Sequence, residues 1–453
     1  MNRIKFVLSV VVSKILYFAC KMLGSRASTA PGKYARKICP DIISILSKKI
    51  KKQIIVVCGT NGKTTTNNLI NTTLLRAGYK TVCNNVGANM LDGVAAAFCK
   101  SAGFFGTLNA DYACLEVDEA NLKLLFKQMS PSIIVVTNLF RDQLDRYGEV
   151  DTTSKLLKTA FDLAPDAKLI LNADDPTTSA FGDGREAIYY SIDGKVDMLS
   201  CNEMRDGAVC QKCGEPLVYE YYLYGRLGRY KCQKCGDENK TATYKASGIA
   251  VKDGILHFDI TRGDFAAHAE SEVTGLYNVY NMLMAYAAAD IVGIDNKSVL
   301  SVLCSQKPEP GRMSRFEINS KTIYLLLSKN PIGFNQSVTT VINDNREKNV
   351  LLGLNDLPQD GEDISWIWDV DFETLLKEDA KHYYIVGERR FDMYLRLKYS
   401  GCDEEKISVF DSIDDAIGAM LSDEQAISYL LVNYSVMYPM YQKLKTLEGG
   451  DDK

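Results

Sequence analysis

Residues 53–66 read QIIVVCGTNGKTTT: an apolar, β-favouring run enters a loop with two glycines and leaves it in a Lys-Thr-Thr-Thr helix start. Strand, glycine loop and helix N-terminus in that order form the context a phosphate-binding loop needs. Gly59 and Gly62 let backbone N–H groups approach phosphate oxygens without a Cβ in the way. The helix start adds partial positive charge. Lys63 has the reach for β- and γ-phosphates, and the Thr64 hydroxyl suits a Mg²⁺ ligand. The expected ATP contacts are Gly59, Thr60, Asn61, Gly62, Lys63, Thr64 and Thr65, with Lys63 serving catalysis as well as binding. Val57 stands where the standard pattern has a further glycine, so the loop is a shortened form. A chance glycine-rich turn would lack the flanking strand and helix.

Further β-rich runs at 112–117, 132–137 and 168–171 alternate with helical stretches such as 64–77. That rhythm predicts an α/β sheet with largely parallel strands. A helix is expected between Gly275 and Gly293, and Pro308-Glu309-Pro310-Gly311 reads as a hinge. A second α/β pattern follows, with strands expected at 323–327, 349–352, 383–386 and 428–432. A length of 453 residues fits two or three domains. The division read here is an N-terminal helical segment 1–50, an ATP-binding domain 51–308, and a C-terminal domain 309–453.

Residues from about 200 to 240 interrupt the rhythm with Cys210-x₂-Cys213 and Cys232-x₂-Cys235, 18 residues apart. This spacing fits a four-cysteine zinc ribbon inserted in the ATP-binding domain. Gly214 and Gly236 permit the tight turns, and neighbouring lysines offset the negative charge of the four thiolates. With no ligand position left for water, such a zinc site is structural. Two unlinked turns or a redox pair is the competing reading, and Cys201 reads as a spare thiol. The other cysteines, of 13 in all, are scattered through apolar runs, as in a reducing cytosol. Three histidines (His257, His268, His382) poorly supply a His-based metal centre or a Ser-His-Asp triad. A net charge of −4 gives no bulk reason to expect a nucleic-acid partner.

Residues 6–20 are apolar apart from Ser9, Ser13 and Lys14, and basic residues flank them. Lys14 sits mid-run, and a spanning helix needs about 20 apolar residues. The segment reads as a helix packed on its domain, with peripheral membrane contact as the alternative.

The loop GTNGKTTT resembles that of the Mur ligases and folylpolyglutamate synthases, and the resemblance runs in order over residues 54–315. Glu116 resembles the family's Mg²⁺-binding glutamate, and Thr137-Asn138 with the 141–146 segment resembles TNL-x-RDHLD-x. Asn172-Ala173-Asp174-Asp175 is similar to a stretch near the nucleotide. Gly275-x-x-Asn278-x-x-Asn281 resembles G-x-HN-x-x-N, which implies that Asn278 faces the adenine. Pro310-Gly311-Arg312 resembles the motif that opens the C-terminal domain, and implies that Arg312 reaches ATP phosphates. The fold implied is a Mur-ligase central P-loop ATPase domain followed by a Rossmann-like α/β C-terminal domain.

Departures point to one branch. Gln143 and Tyr277 replace histidines, and Ser328-Lys329-Asn330-Pro331 stands where ordinary members carry an acidic residue and a histidine. The phosphate loop begins about fifty residues into the chain, and a UDP-sugar-binding domain would need roughly twice that. These features, with the cysteine insertion, resemble the MurT-type synthetases. That resemblance implies amidation of the D-glutamate α-carboxylate in the lipid II stem peptide through an acyl phosphate, with Mg²⁺ as cofactor. Ammonia would come from a separate GatD-like glutamine amidotransferase subunit, in the cytoplasm or at the inner face of the membrane. It also implies a role for Asp363, in the acidic, tryptophan-bearing loop 355–369. That carboxylate would complete the partner's Cys-His pair across the interface. Read without the resemblance, the loop is an acidic turn capped by tryptophans. The rival functions are an amino-acid-adding ligase of muramyl or folylpolyglutamate type, and a nucleotide-dependent zinc-ribbon scaffold.

Overall fold

Gln53–Cys58 forms β1, and five of its six residues are buried, as a central parallel strand covered on both faces requires. The computed structural model describes residues 3–22, 28–84, 88–140, 150–196, 201, 208–252, 255–306, 312–377 and 380–449. The 141–146 segment and the Pro310-Gly311 hinge lie outside the described residues.

In chain order β2 (Thr81–Cys83), β3 (Tyr112–Glu116), β4 (Ile133–Val136), β5 (Lys168–Asn172) and β6 (Ala187–Ile192) follow β1. They assemble as a parallel sheet in the order β6-β5-β4-β1-β3-β2. A separate hairpin comes next, β7 (Val218–Tyr222) with β8 (Gly228–Lys231). The chain then returns as β9 (Tyr244–Lys252), parallel to β6, and adds β10 (Ile255–Arg262) and β11 (Phe265–Ser271) antiparallel at the edge. The sheet is therefore mixed, nine strands wide.

The side-chain alternation of β1 sets the two cores. Ile55 and Val57 face one core with Leu69 and Ile70 of helix Lys63–Arg76 and Leu283 of helix Leu276–Ile291. Ile54, Val56 and Cys58 face the other, with Phe98, Leu125 and Phe161. The helix Arg3–Met22 joins that second core through Phe6 and Val10. Among the described residues no helix is long and apolar enough to cross a membrane.

A second sheet holds β12 (Arg312–Ile318), β13 (Lys321–Leu327), β14 (Lys348–Gly353), β15 (Ala380–Val386), β16 (Ile407–Val409) and β17 (Ile427–Val432). Its order is β12-β13-β17-β14-β15-β16, parallel except for β12. The four expected C-terminal strands fall within β13, β14, β15 and β17. The antiparallel edge β9 to β11 was not foreseen.

A candidate nucleotide-binding cleft

The phosphate loop runs between β1 and helix Lys63–Arg76, and its two glycines are required by position. Gly59 and Gly62 have φ of +116° and +83°, where a Cβ is strained. A Cβ on Gly59 would lie 2.2 Å from Thr137 Oγ1, and one on Gly62 would lie 2.2 Å from Asn281 Oδ1. Residues 137–138 brace the loop: Thr60 N donates to Asn138 O at 2.8 Å, and Asn61 N to Asn138 Oδ1 at 2.9 Å. Thr60 is tied to Phe140 in both directions, at 3.2 and 3.0 Å.

Lys63 is buried and folded back on its own loop. Its ammonium donates to Gly59 O, to Thr60 O at 3.3 Å and to Glu119 Oε1 at 3.1 Å. Glu119 also accepts from Gly59 N at 2.8 Å. Burial pushes the Glu119 carboxyl up, and Lys63 opposes the shift. Glu119 was missed by the sequence reading. It sits three residues beyond Glu116, across the turn that leaves β3, and nothing local marks it.

Glu116 ends β3 with only 2% of its surface exposed. Oε1 accepts from Asn89 Nδ2 at 3.3 Å, whereas Oε2 is buried with no hydrogen-bond partner. An orphaned carboxylate oxygen is costly unless a ligand completes it. Glu116 and Thr64 line one cleft, and their carboxylate and hydroxyl oxygens fit a hard divalent cation, while Lys63 in the same cleft suits the phosphates. Thr65 Oγ1 is also buried without a partner.

The C-terminal unit lines the other side of the cleft with Leu326 of β13, Lys329, Gln336 and Tyr434. Asn330 caps helix Pro331–Ile342 by accepting from Gly333 N at 2.8 Å, and donates to Asn61 Oδ1 at 3.1 Å. The two units thus meet on the phosphate loop itself. The backbone of Arg312 opens β12 opposite Leu326; its side chain lies outside the described residues.

Asn278 and the 172–175 stretch are engaged by the protein's own groups. Asn278 is buried, with Nδ2 donating to Thr274 O at 2.7 Å and Oδ1 accepting from Asn281 Nδ2 at 3.2 Å. Its neighbours Tyr277 and Asn281 line the cleft instead. The 172–175 stretch is turned inward. Asp174 accepts from Ile192 N at 2.8 Å and Tyr280 Oη at 2.7 Å, and burial pushes its carboxyl up to about 7. Asp175 forms a fully buried ion pair with Arg226 at 3.0 Å, and Arg226 also donates to Leu139 O. These aspartates anchor the inserted hairpin to the sheet.

In that insertion all four cysteine sulfurs lie within 4.8 Å of one another. The two turns are alike: Gly214 N donates to Cys210 O and Gly236 N to Cys232 O, with φ of +74° and +75° at the glycines. The lysines pair across the turns, Lys212 with Asp237 at 2.6 Å and Lys234 with Glu215 at 3.5 Å. Cys201 is buried against the C-terminal unit, donating to Asn335 O at 3.3 Å. Two of the three histidines also converge. His257, His268 and Glu270 form a group of possible ligands on β10 and β11, which the histidine count alone had discouraged.

Asp363 is half-buried and accepts from Ser365 N at 2.8 Å. It shares a shallow recess with Trp368, Arg389, Asp392 and Leu395. On helix Arg390–Tyr399, which supplies Asp392 and Leu395 to the recess, Phe391, Leu395 and Tyr399 follow one another at i, i+4 and i+8, all exposed, and Trp368 is 52% exposed. Trp366 instead packs inward on Phe334, with ring centroids 6.1 Å apart. Gln359, four residues before Asp363, lines the cleft, so one loop joins the cleft to the recess.

The chain matches the Mur ligase middle domain over residues 57–227 and the MurT ligase C-terminal domain over 327–437. It is 33% identical to the lipid II isoglutaminyl synthase (glutamine-hydrolyzing) subunit MurT of Staphylococcus aureus strain COL, over 97% of this chain and 98% of that one. The subunit of the same name from Streptococcus pneumoniae is 31% identical over 96% of each chain. Among solved structures, a pseudomurein peptide ligase type C from Methanothermus fervidus superposes with a TM-score of 0.69 at 24% identity, covering 89% of this chain and 80% of that one. That likeness carries the fold.

Proposed function

The chain belongs to the MurT family of lipid II isoglutaminyl synthase subunits, and from that premise we propose that it is the ATP-dependent synthetase that converts the stem-peptide D-glutamate of lipid II to D-isoglutamine. The γ-phosphoryl group of ATP passes to an α-carboxylate oxygen, giving an acyl phosphate and ADP. Ammonia attacks the acyl carbon, the bond to phosphate breaks, and one proton leaves as the amide forms. The observation that carries this reading is the orphaned Oε2 of Glu116 in the cleft that Lys63 also lines, in a chain that aligns with a MurT subunit over 97% of its length.

Lys63 and the loop from Gly59 to Thr65 hold the triphosphate in this proposal, work that is mainly positioning and electrostatics. Thr64 and Glu116 hold Mg²⁺, which neutralises charge on the phosphates. Arg312, at the start of β12 in the C-terminal unit, 309–453, serves the phosphates, and Asn278 serves the adenine with Tyr277 lining the cleft beside it. Cys210, Cys213, Cys232 and Cys235 hold a structural Zn²⁺ that keeps the two turns of the insertion together. Ammonia comes from a separate GatD-like glutaminase, docked at the recess that Asp363 shares with Trp368 and Leu395. Aromatic residues of this kind anchor interface cores, and a carboxylate beside a catalytic histidine orients it whichever chain supplies it.

The test is reconstitution of the chain with its glutaminase, ATP and lipid II, scored for amidation with ammonium or with glutamine. Amidation from either nitrogen source is expected, ammonium alone sufficing without the glutaminase. Incorporation of an amino acid in place of ammonia would overturn the reading in favour of an amino-acid-adding ligase.

A further inference from the structure

The helix Arg3–Met22 is apolar on two opposite sides. At about 100° per residue, Phe6, Ser9, Val10 and Ser13 share one side, and these are its buried residues. Ile4, Leu8, Ile15, Phe18 and Met22 share the other, and are between 50% and 89% exposed. The core accounts for the first stripe, where Phe6 and Val10 belong to the same buried cluster as Leu46 and Phe98. It does not account for the second.

A neighbouring loop widens the exposed face. Phe104 and Phe105 are 54% and 81% exposed. Lys14 holds this loop to the helix, donating to Lys100 O at 3.1 Å with its ammonium 5.4 Å from the Phe104 ring centre. Gly106 packs so close to Phe6 that a Cβ would meet the ring at 2.2 Å.

Charge selects the occupant. The helix carries no acidic residue. Arg3, Lys14 and Lys21 fall along one edge of the outer stripe and Lys5 along the other. An apolar stripe edged by cations matches the boundary of an anionic bilayer, where apolar side chains enter the acyl region and lysines reach the phosphates. A second copy of the chain on this face would set the same cations against each other. We infer that this face docks the protein on an anionic lipid bilayer, with the helix lying in the interface plane.

The purpose of such docking rests on the proposed function, since a lipid-linked substrate presents its carboxylate near the membrane surface. The fold links the two places. Helix Leu91–Ser101 begins beside Asn89, which bonds Glu116 in the cleft, and ends near Lys100, which receives Lys14.

The experiment is flotation of the full chain with vesicles of phosphatidylglycerol and phosphatidylcholine, and with phosphatidylcholine alone. No substrate or ATP is present, so failure of the amidation reading leaves this result untouched. The chain should float with the anionic vesicles and remain behind with the neutral ones. Ile15→Glu with Phe18→Glu, both at exposed positions, should cut the floated fraction at least about tenfold at unchanged Tm. Lys5→Glu with Lys21→Glu should weaken binding and flatten its salt dependence. Absence of flotation, equal flotation with neutral vesicles, or undiminished flotation of the Ile15→Glu/Phe18→Glu variant overturns the inference. So does a dimer that this pair of substitutions dissociates while vesicle binding persists.

Discussion

The Lys63 ammonium lies 3.1 Å from the Glu119 carboxylate, with side chains 10% and 7% exposed, so the cation that should meet a triphosphate is held by an internal anion. Nucleotide binding must replace that anion as its partner. Glu119→Ala removes the carboxylate and leaves Lys63 with the carbonyls of Gly59 and Thr60. Breaking a buried pair from one side costs about 3–5 kcal/mol. Calorimetry should register that loss in the nucleotide-free protein and a smaller one under saturating Mg·ATP. An equal loss in both conditions would mean that the phosphates never take over Lys63.

Glu116 makes a second prediction because of what it lacks. Its Oε2 is buried without a partner, so Glu116→Gln should be well tolerated by the fold while removing a charge from the proposed cation site. Turnover should fall by about 100-fold or more, and part of the loss should be recovered at high Mg²⁺. Lys63→Ala should abolish turnover at any Mg²⁺ concentration. Wild-type rates from Glu116→Gln would remove the carboxylate from the mechanism.

The parts of this site that the sequence announces are local. The phosphate loop is legible because strand, glycines and helix start lie within 14 consecutive residues, and the cysteines because two short turns repeat one pattern. Thr137 and Asn138 were read from resemblance, and their bracing of the loop follows from β4 lying beside β1. What stayed hidden depends on topology. Asn330 reaches Asn61 across 269 residues, which no window of sequence displays. Nothing local marks Arg226, which is buried because its partners, Asp175 and Leu139 O, come from other parts of the chain. β10 and β11 alternate in burial with a period of two, and Asp253-Gly254 precedes β10 in the sequence, the local signature of a hairpin. In the helix Leu276–Ile291, Asn281 lies against Gly62 while Asn278 bonds Thr274 O, a division that the motif alone does not display.

The insertion should bind one zinc ion per chain, measurable by elemental analysis of purified protein. Cys232 is fully buried between the two turns, and Cys232→Ser should release the metal and lower Tm by several degrees, as should a strong chelator. ATP turnover with ammonium should survive in part, because Arg226 still anchors the hairpin through Asp175. A metal-free wild-type protein of undiminished stability would leave the four thiols as packing residues.

Asp174 gives a pH dependence of definite sign. Its folded carboxyl titrates at about 7, against about 3.9 in an unfolded chain. Between those values the folded state holds a proton that the unfolded state has lost. The contribution to stability is therefore full below pH 4 and is lost as pH rises towards 7. Asp174→Asn keeps acceptors for Ile192 N and Tyr280 Oη without the titration. The difference in unfolding free energy between variant and wild type should move in the variant's favour from pH 4 to 7 and level off above. A difference independent of pH would show that Asp174 is ionised in the fold throughout.

Asp363 offers the sharpest division between the two halves of the proposed reaction. It lies in a recess of the C-terminal unit with Trp368 and Leu395, whereas the phosphate loop lies in a cleft lined by both units. A substitution there leaves the ATP cleft intact. Asp363→Asn preserves the hydrogen bond to Ser365 N and removes only the charge. With ammonium as nitrogen source the amidation rate should be unchanged. With glutamine and the glutaminase it should fall by at least about 100-fold, because a histidine that loses its carboxylate loses both orientation and charge stabilisation. Trp368→Ala should act differently. It should weaken association of the two subunits, so that raising the glutaminase concentration restores the glutamine-driven rate, which no excess should do for Asp363→Asn. Equal losses from both nitrogen sources in Asp363→Asn would place the carboxylate in the folding of the C-terminal unit and remove it from ammonia supply.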